Sequence, residues 1–320
     1  MRRKRVQSRG AQLAAFAGLA LLFSAARASA QVTVAVGTCD PTVASYDEIQ
    51  DAVDGVPIGG IVELCPGTWR QQVHITRSLT LTGVQSGNSG LPVIAPPAGG
   101  LVMNATGLNV GGFLGNARIA AQILVTGGAN VNFSSLALDA TNGVPNCLPD
   151  PNNAVKPVGI YFQNASGSVS QVAAKNQANG CAWPGQGGPQ GDAVLIQNNS
   201  LSAPSFSVQS STFRNFGWMA VEAAAFPAAA KANVTVDSNT LVGPGGTNGN
   251  GIAFFYSASG AITNNSISDA LRTGDGTGFW GSWNSASPTS LFPGIPSAIQ
   301  TPPSPSTTIK GLFAHLETLG

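Results

Sequence analysis

The chain has 320 residues, of which 9% are charged and 43% hydrophobic, with 40 glycines and 21 prolines. So much apolar content excludes a largely disordered chain, and few charges with many turn formers favour an all-β fold. The formal net charge of +1 misleads: Lys and Arg at positions 2, 3, 4, 5, 9 and 27 account for six of fifteen, and without them the balance is −5, which excludes nucleic acid or an acidic polymer held by bulk electrostatics.

Those six cations belong to a leader pattern. A basic start is followed by an apolar run from Leu13 to Phe23 and then by Ala28-Ser29-Ala30, a small-residue cleavage site. Residues 1–30 are therefore expected to be a signal peptide, and the protein to be secreted, extracellular or periplasmic. The run is short for a membrane span and no other long apolar stretch follows.

The stretch Ser45 to Val84 organises what comes next. Ser45 and Glu48 fit a capping box, and Ile49, Ala52, Val53 and Val56 mark one apolar helix face that Gly55 and Pro57 end. Ile61 to Leu64, Val73 to Ile75 and Leu79 to Leu81 read as three short strands. None can bury its apolar face alone, so further strands must stack on it. The expected fold is an all-β, right-handed parallel β-helix whose open N-terminal end is covered by the amphipathic helix. Pro92 to Ile94, Leu101 to Met103 and Ala121 to Val125 read as further strands.

Beyond them a repeat becomes legible. One register starts at Val131, Val169, Phe206, Val234 and Ala261, at intervals of 38, 37, 28 and 27 residues. A second starts at Gly159, Ala193, Trp218 and Gly251. Constant strands with elastic loops mark a solenoid. Alternation assigns Ile160, Phe162, Val194, Ile196, Met219, Val221, Ile252 and Phe254 to the core. Residues 31–272 are expected to form this domain. Residues 273–320, rich in Gly, Ser and Pro, are expected to wrap or cap its far end.

Cys39, Cys65, Cys147 and Cys181 are an even set, and an exported chain would pair them. Adjacent pairing, Cys39 with Cys65 and Cys147 with Cys181, is preferred among three connectivities. Two histidines and no C-x-x-C make a metal site unexpected, and no cofactor is expected. His74, between Val73 and Ile75, should face outward in a structural role.

The same alternation turns Gln163, Gln197, Glu222 and Phe255 outward, one above another, with Tyr161 alongside. Such a strip of amides, a carboxylate and rings is suited to a sugar chain; the bland alternative is an amide ladder satisfying itself on a solvated face. Among the scattered acids, Asp192 and Glu222 are the pair that could face each other as general acid and base. They are the candidate catalytic residues if the protein is a glycoside hydrolase or polyuronate lyase.

From Tyr46 to Val84, the residues YDEIQDAVDGVP, GGIVELCPGTWRQQVHITRS and LTLTGV resemble the N-terminal module of pectin-lyase-like β-helix proteins, pectinesterases among them. The resemblance implies the parallel β-helix and, by association, polysaccharide. It does not carry those families' chemistry. Where pectinesterases have G-x-Y-x-E, this chain has Gly67-Thr68-Trp69-Arg70-Gln71, with the acid replaced. The polygalacturonase and pectate lyase motifs find no counterpart. The expected function is polysaccharide binding by a monomer at or outside the cell surface, with a degrading enzyme or a structural spacer as alternatives.

Overall fold

The computed structural model describes residues 31–85, 90–110, 116–143, 155–178, 190–200, 202–227, 229–244, 250–268, 279–280, 308–309 and 312–314. Short strands are wound into three parallel sheets, a right-handed parallel β-helix. A full rung runs through a third-sheet strand, a first-sheet strand and a second-sheet strand, as in Val155–Gln163, Ser166–Ser170 and Ala173–Lys175. The strands of the next rung pair beneath them in register: Val169 with Val208, Ala174 with Phe213, and Ile160 with Val194.

Within the coil, alternate residues close one core. It includes Leu81, Phe133, Val169, Val208, Val236 and Ile262 from the first sheet and Ile123, Ile160, Val194, Val221 and Ile252 from the third. Phe162 stacks edge-on with Phe133 at 5.9 Å and with Phe206 at 5.5 Å, tying three rungs together. The second register of the sequence is the third sheet and the first register is the first sheet. The second sheet, with strands of three or four residues such as Ala137–Asp139, Thr212–Arg214 and Asn265–Ser268, is too short to show in the sequence pattern.

The corner between first and second sheets repeats a single left-handed residue: Ser135, Gln171, Ser210, Ser238 and Asn264, with φ from 51 to 56°. Small polar residues tolerate that conformation. Immediately after it, side chains reach back to the preceding rung. The Asn239 N–H donates to Asn265 Oδ1 (2.9 Å), the Ser211 N–H to Asn239 Oδ1 (2.9 Å), and the Val172 N–H to Ser211 Oγ (3.1 Å).

At the N-terminal end the helix forms over Ile49–Gly55, with Ile49, Ala52 and Val53 in the core. The capping box does not form. Ser45 lies in the strand Ala44–Tyr46, which pairs with Thr33–Val36, and Glu48 makes no side-chain bond at the helix start. Instead the Ile49 N–H donates to Gln71 Oε1 at 2.8 Å. The helix lies beside Val73–Ile75, the terminal strand of the third sheet. There the Gln50 amide donates to the His74 C=O (2.9 Å) and accepts from its N–H (2.8 Å). His74 does face outward, with its ring on Thr126 Oγ1 at 2.8 Å.

The region holds four short strands after the helix, since Thr68–Arg70 adds one. Leu101 to Met103 is not a strand. The chain pairs instead at Ala105–Thr106, antiparallel to Arg118–Val125. Cys39 and Cys65 are bonded, joining residues 26 apart. Cys147 and Cys181 lie outside the described residues, as does residue 1–30. Of the C-terminal segment, Phe279–Trp280 continues the third sheet in parallel, while Thr308–Ile309 and Leu312–Ala314 pair antiparallel with the second and first. Among the described residues no helix is long and apolar enough to cross a membrane.

Candidate functional site

The outward face of the third sheet is where the sequence placed its strip, and the register rearranges it. Gln163 pairs with Gln197, Gln197 with Ala224, and Ala224 with Phe255. Glu222 stands in the neighbouring row, which runs Tyr161, Leu195, Glu222 and Ala253. The expected single row is therefore two rows, with Glu222 in the row of Tyr161 and Leu195 between them.

The cause is a two-residue offset in register: Val221, and not Met219, stands between Val194 and Ile252. A bend that strict alternation does not foresee is added to it. Ala193 and Val194 both enter the coil core, and so do Ala220 and Val221 on the next rung. Two successive inward residues reverse the parity of the strand on their N-terminal side. Met219, expected in the core, consequently points outward, packed with Val110, Trp218, Ala224, Ala253 and Phe255. The same reversal turns Asp192 outward, opposite Met219 in register.

This outward face is not solvated. Tyr161, Asp192, Gln197 and Glu222 are 0% exposed and Phe255 is 1% exposed, which corrects the expectation of an open strip. Residues 101–110 cross over it as a strap. The Leu108 N–H donates to Gln197 Oε1 (2.7 Å), and the Gln163 amide donates to the Thr106 C=O (2.7 Å). Tyr161 Oη donates to Gln197 Oε1 (2.7 Å) and accepts from Gln163 Nε2 (3.0 Å). The strap is pinned at its other end by Asn104, whose amide pairs with both backbone groups of Ala121. Burial pushes the Tyr161 hydroxyl well above its ordinary value. Tyr161, Gln163 and Gln197 form a network that holds the strap, and Phe255 packs with Val110 at its end.

Asp192, Glu222 and Lys156 make a second group on the same face. Burial holds the Asp192 carboxyl well above the usual carboxylate range, and the carboxyl of Glu222, in hydrogen-bond contact with it, adds to the rise. The Met219 N–H, donating to Asp192 Oδ1 at 3.0 Å, and the Lys156 ammonium pull the other way. Lys156, 1% exposed, is pushed down to about 7 by burial, against both carboxylates. Glycoside hydrolysis needs its two carboxyls about 5–9.5 Å apart with room for sugar between them, whereas these two are wholly buried. Lys156 was missed in the sequence because Pro157 beside it disguises the strand; its signal was a lone lysine within the nine-residue run Val155–Gln163.

The exposed face is that of the first sheet. Its outward residues stand in three columns. One runs Thr80, Asn132, Ser168, Ser207, Thr235 and Ala261, and the next Thr82, Ser134, Ser170, Gln209, Asp237 and Thr263. The third runs Asn130, Ser166, Ser205, Asn233 and Ser259. All are exposed or half-buried. Over these strands Asp237 carries the one charge and there is no aromatic ring; the second column continues past Thr82 to Glu63, a second carboxylate. The signal for this face lay in the first register, whose apolar residues were read while the polar ones between them were passed over.

A shallow open groove of about 330 Å³ lies elsewhere, at the far edge of the second sheet, lined by Ala140, Thr141, Asn142, Asn176, Ala178 and Asn215. Beside it Asp139 pairs with Lys175 at 3.0 Å. Partial burial works against that carboxylate, but hydrogen bonds from Thr141 and Asn176, with Lys175, hold it down at about 2. No group of His, Cys, Asp and Glu among the described residues could hold a metal ion.

No protein-family model matches the sequence, and no curated protein matches it. Solved structures do. A pectin methylesterase from Aspergillus niger in deglycosylated form aligns with a TM-score of 0.38 and 12% identity, over 86% of this chain and 94% of that one. The rice weevil pectin methyl esterase aligns at 0.37 and 11%, over 79% and 81%. The pectin methylesterase from Yersinia enterocolitica aligns at 0.32 and 12%, over 75% and 82%. The likeness is one of fold, and it assigns no role to any residue.

Proposed function

We propose that the chain is exported and binds neutral polysaccharide on the exposed face of its first sheet. The observation that carries this reading is the set of three in-register columns of hydroxyl and amide side chains. Such groups exchange hydrogen bonds with sugar hydroxyls on equal terms, and the near absence of charge removes the electrostatic hold an acidic or basic polymer would need. The Cys39–Cys65 bond suits an oxidising compartment, and the leader pattern before residue 31 suits export.

Retention by neutral glycans, offered both in gels and as insoluble particles, tests the reading. The wild type should be retained by at least one of these forms, with no release of reducing ends or unsaturated uronate, and a chain carrying both Ser168→Arg and Ser207→Arg should not be. Failure of the wild type to bind any neutral glycan in either form would overturn it.

A second reading, a polysaccharide-degrading enzyme, has the Asp192–Glu222 pair in its favour. Glutamine at 222 abolishing product release would establish it. The strap above the pair and the contact between the two carboxyls give it less support than the open face gives to binding.

A further inference from the structure

The first-sheet face suits one kind of glycan better than another. We propose that it docks flat on an ordered, insoluble, neutral polysaccharide, against the hydroxyls of packed chains, and not on single chains in solution. This rests on the polysaccharide-binding reading above and specifies its ligand.

The argument begins with shape. Strands about 4.8 Å apart, with outward residues about 6.6 Å apart along each, make a lattice roughly 24 Å long and 13 Å wide. Among the described residues its short side chains raise no walls, so a lone flexible chain would gain contact on one side only and lose its freedom for little return. The aromatic platforms that grip single sugar rings are missing from these columns. A rigid partner with repeating hydroxyls meets many positions at once, and weak contacts then add without a separate ordering cost for each.

The face is also ordered in advance. Ser134 Oγ donates to Thr82 Oγ1 (2.8 Å), and Ser168 Oγ to Asn132 Oδ1 (2.8 Å), each reaching across a rung. Gly167 and Gly260, which lie between outward residues, keep adjacent rungs close: a Cβ added at either would fall 1.9 and 1.8 Å from the Val131 and Val234 carbonyls. A surface fixed by its own bonds and by close backbone contact has little rotamer freedom left to lose on docking.

The test is depletion of the purified chain from solution by microcrystalline cellulose and crystalline chitin. Acid-swollen amorphous forms of the same polymers and soluble hydroxyethyl cellulose in gels serve as comparators. At least about tenfold stronger partition to a crystalline form is expected, as multiple simultaneous contacts require. It should change little up to about 1 M salt, since no charge pairing is involved. The Ser168→Arg, Ser207→Arg chain should lose it while keeping the wild-type circular dichroism. Ser168→Thr with Ser207→Thr, which preserves hydroxyls, should keep it and guards against a folding artefact. Equal binding to soluble and crystalline glycan overturns this inference and leaves the binding reading standing. Binding to none overturns both. Crystalline binding unchanged by the arginine pair places the contact on another face and overturns this one.

Discussion

Asp192 and Glu222 sit on adjacent strands of the third sheet, wholly buried, with their carboxyls in contact and the Lys156 ammonium close enough to act on both. Lys156→Met should destabilise the coil by about 3–5 kcal/mol near pH 6, because it leaves the two buried carboxyls without the cation that acts on them. Adding Glu222→Gln should recover much of the loss. Chemical denaturation of the two variants and of Glu222→Gln alone gives the coupling, and additive losses would mean the three groups do not act as one unit.

The same group sets a pH dependence. The folded value of Asp192 lies above its ordinary 3.8, so its contribution is complete below that value and is lost as pH rises toward the raised one. Lys156 is depressed from 10.5 to about 7, so its contribution is complete above 10.5 and is lost as pH falls toward 7. Asp192→Asn keeps an acceptor for the Met219 N–H but removes the first effect. Its melting temperature should gain on the wild type steadily as pH rises above about 4. Parallel profiles for the two proteins would show that Asp192 ionises in the fold as it does in water.

Gln197 holds the strap by accepting from both the Leu108 N–H and the Tyr161 hydroxyl. Gln197→Ala leaves both donors buried without that acceptor, a loss of about 2–4 kcal/mol. Hydrogen exchange should register it at the Leu108 amide before the first-sheet amides. Protection at Leu108 equal to the wild type would mean the strap is held from its Asn104 end alone.

The disulfide closes a loop between residues 26 apart near the start of the coil. Cys65→Ser with Cys39→Ser should lower stability by about 3 kcal/mol through the freedom returned to the unfolded chain. Thermal melts of the variant against the oxidised wild type check this, and equal midpoints would refute it.

Phe162 bridges Phe133 and Phe206. Phe162→Ala should cost about 3–5 kcal/mol, the usual effect of a large cavity in a packed core. A loss below 1 kcal/mol, roughly a single methylene's worth, would mean the coil closes around the gap.

The coil was more legible in the sequence than the site. Apolar pairs such as Ile160 and Phe162 repeat strongly enough to reveal stacked rungs, and left-handed corners announce themselves through Ser and Asn. Apart from the strand at Val93–Ala95, the second sheet escaped because a strand like Ala173–Lys175 offers only one inward residue, too few for a period. The strip was misplaced for a different reason. Alternation fixes parity but not register: an offset of two residues in the strand Met219–Ala225 keeps every face and moves Glu222 to another row, while the bend at Ala193–Val194 turns only residues before it, such as Asp192. Nor does the local pattern say that a segment as remote as Leu108 returns to cover Gln197, since that contact spans 89 residues.

Beside the first coil, the Gln50 amide occupies the N–H and C=O of His74, the pair of groups that an incoming strand would need on the third sheet's terminal edge. One side chain thereby imitates a missing strand. A second molecule cannot template onto that edge without first displacing it, so the amide opposes end-to-end polymerisation at its own terminus, the hazard to which every stacked-strand architecture is exposed.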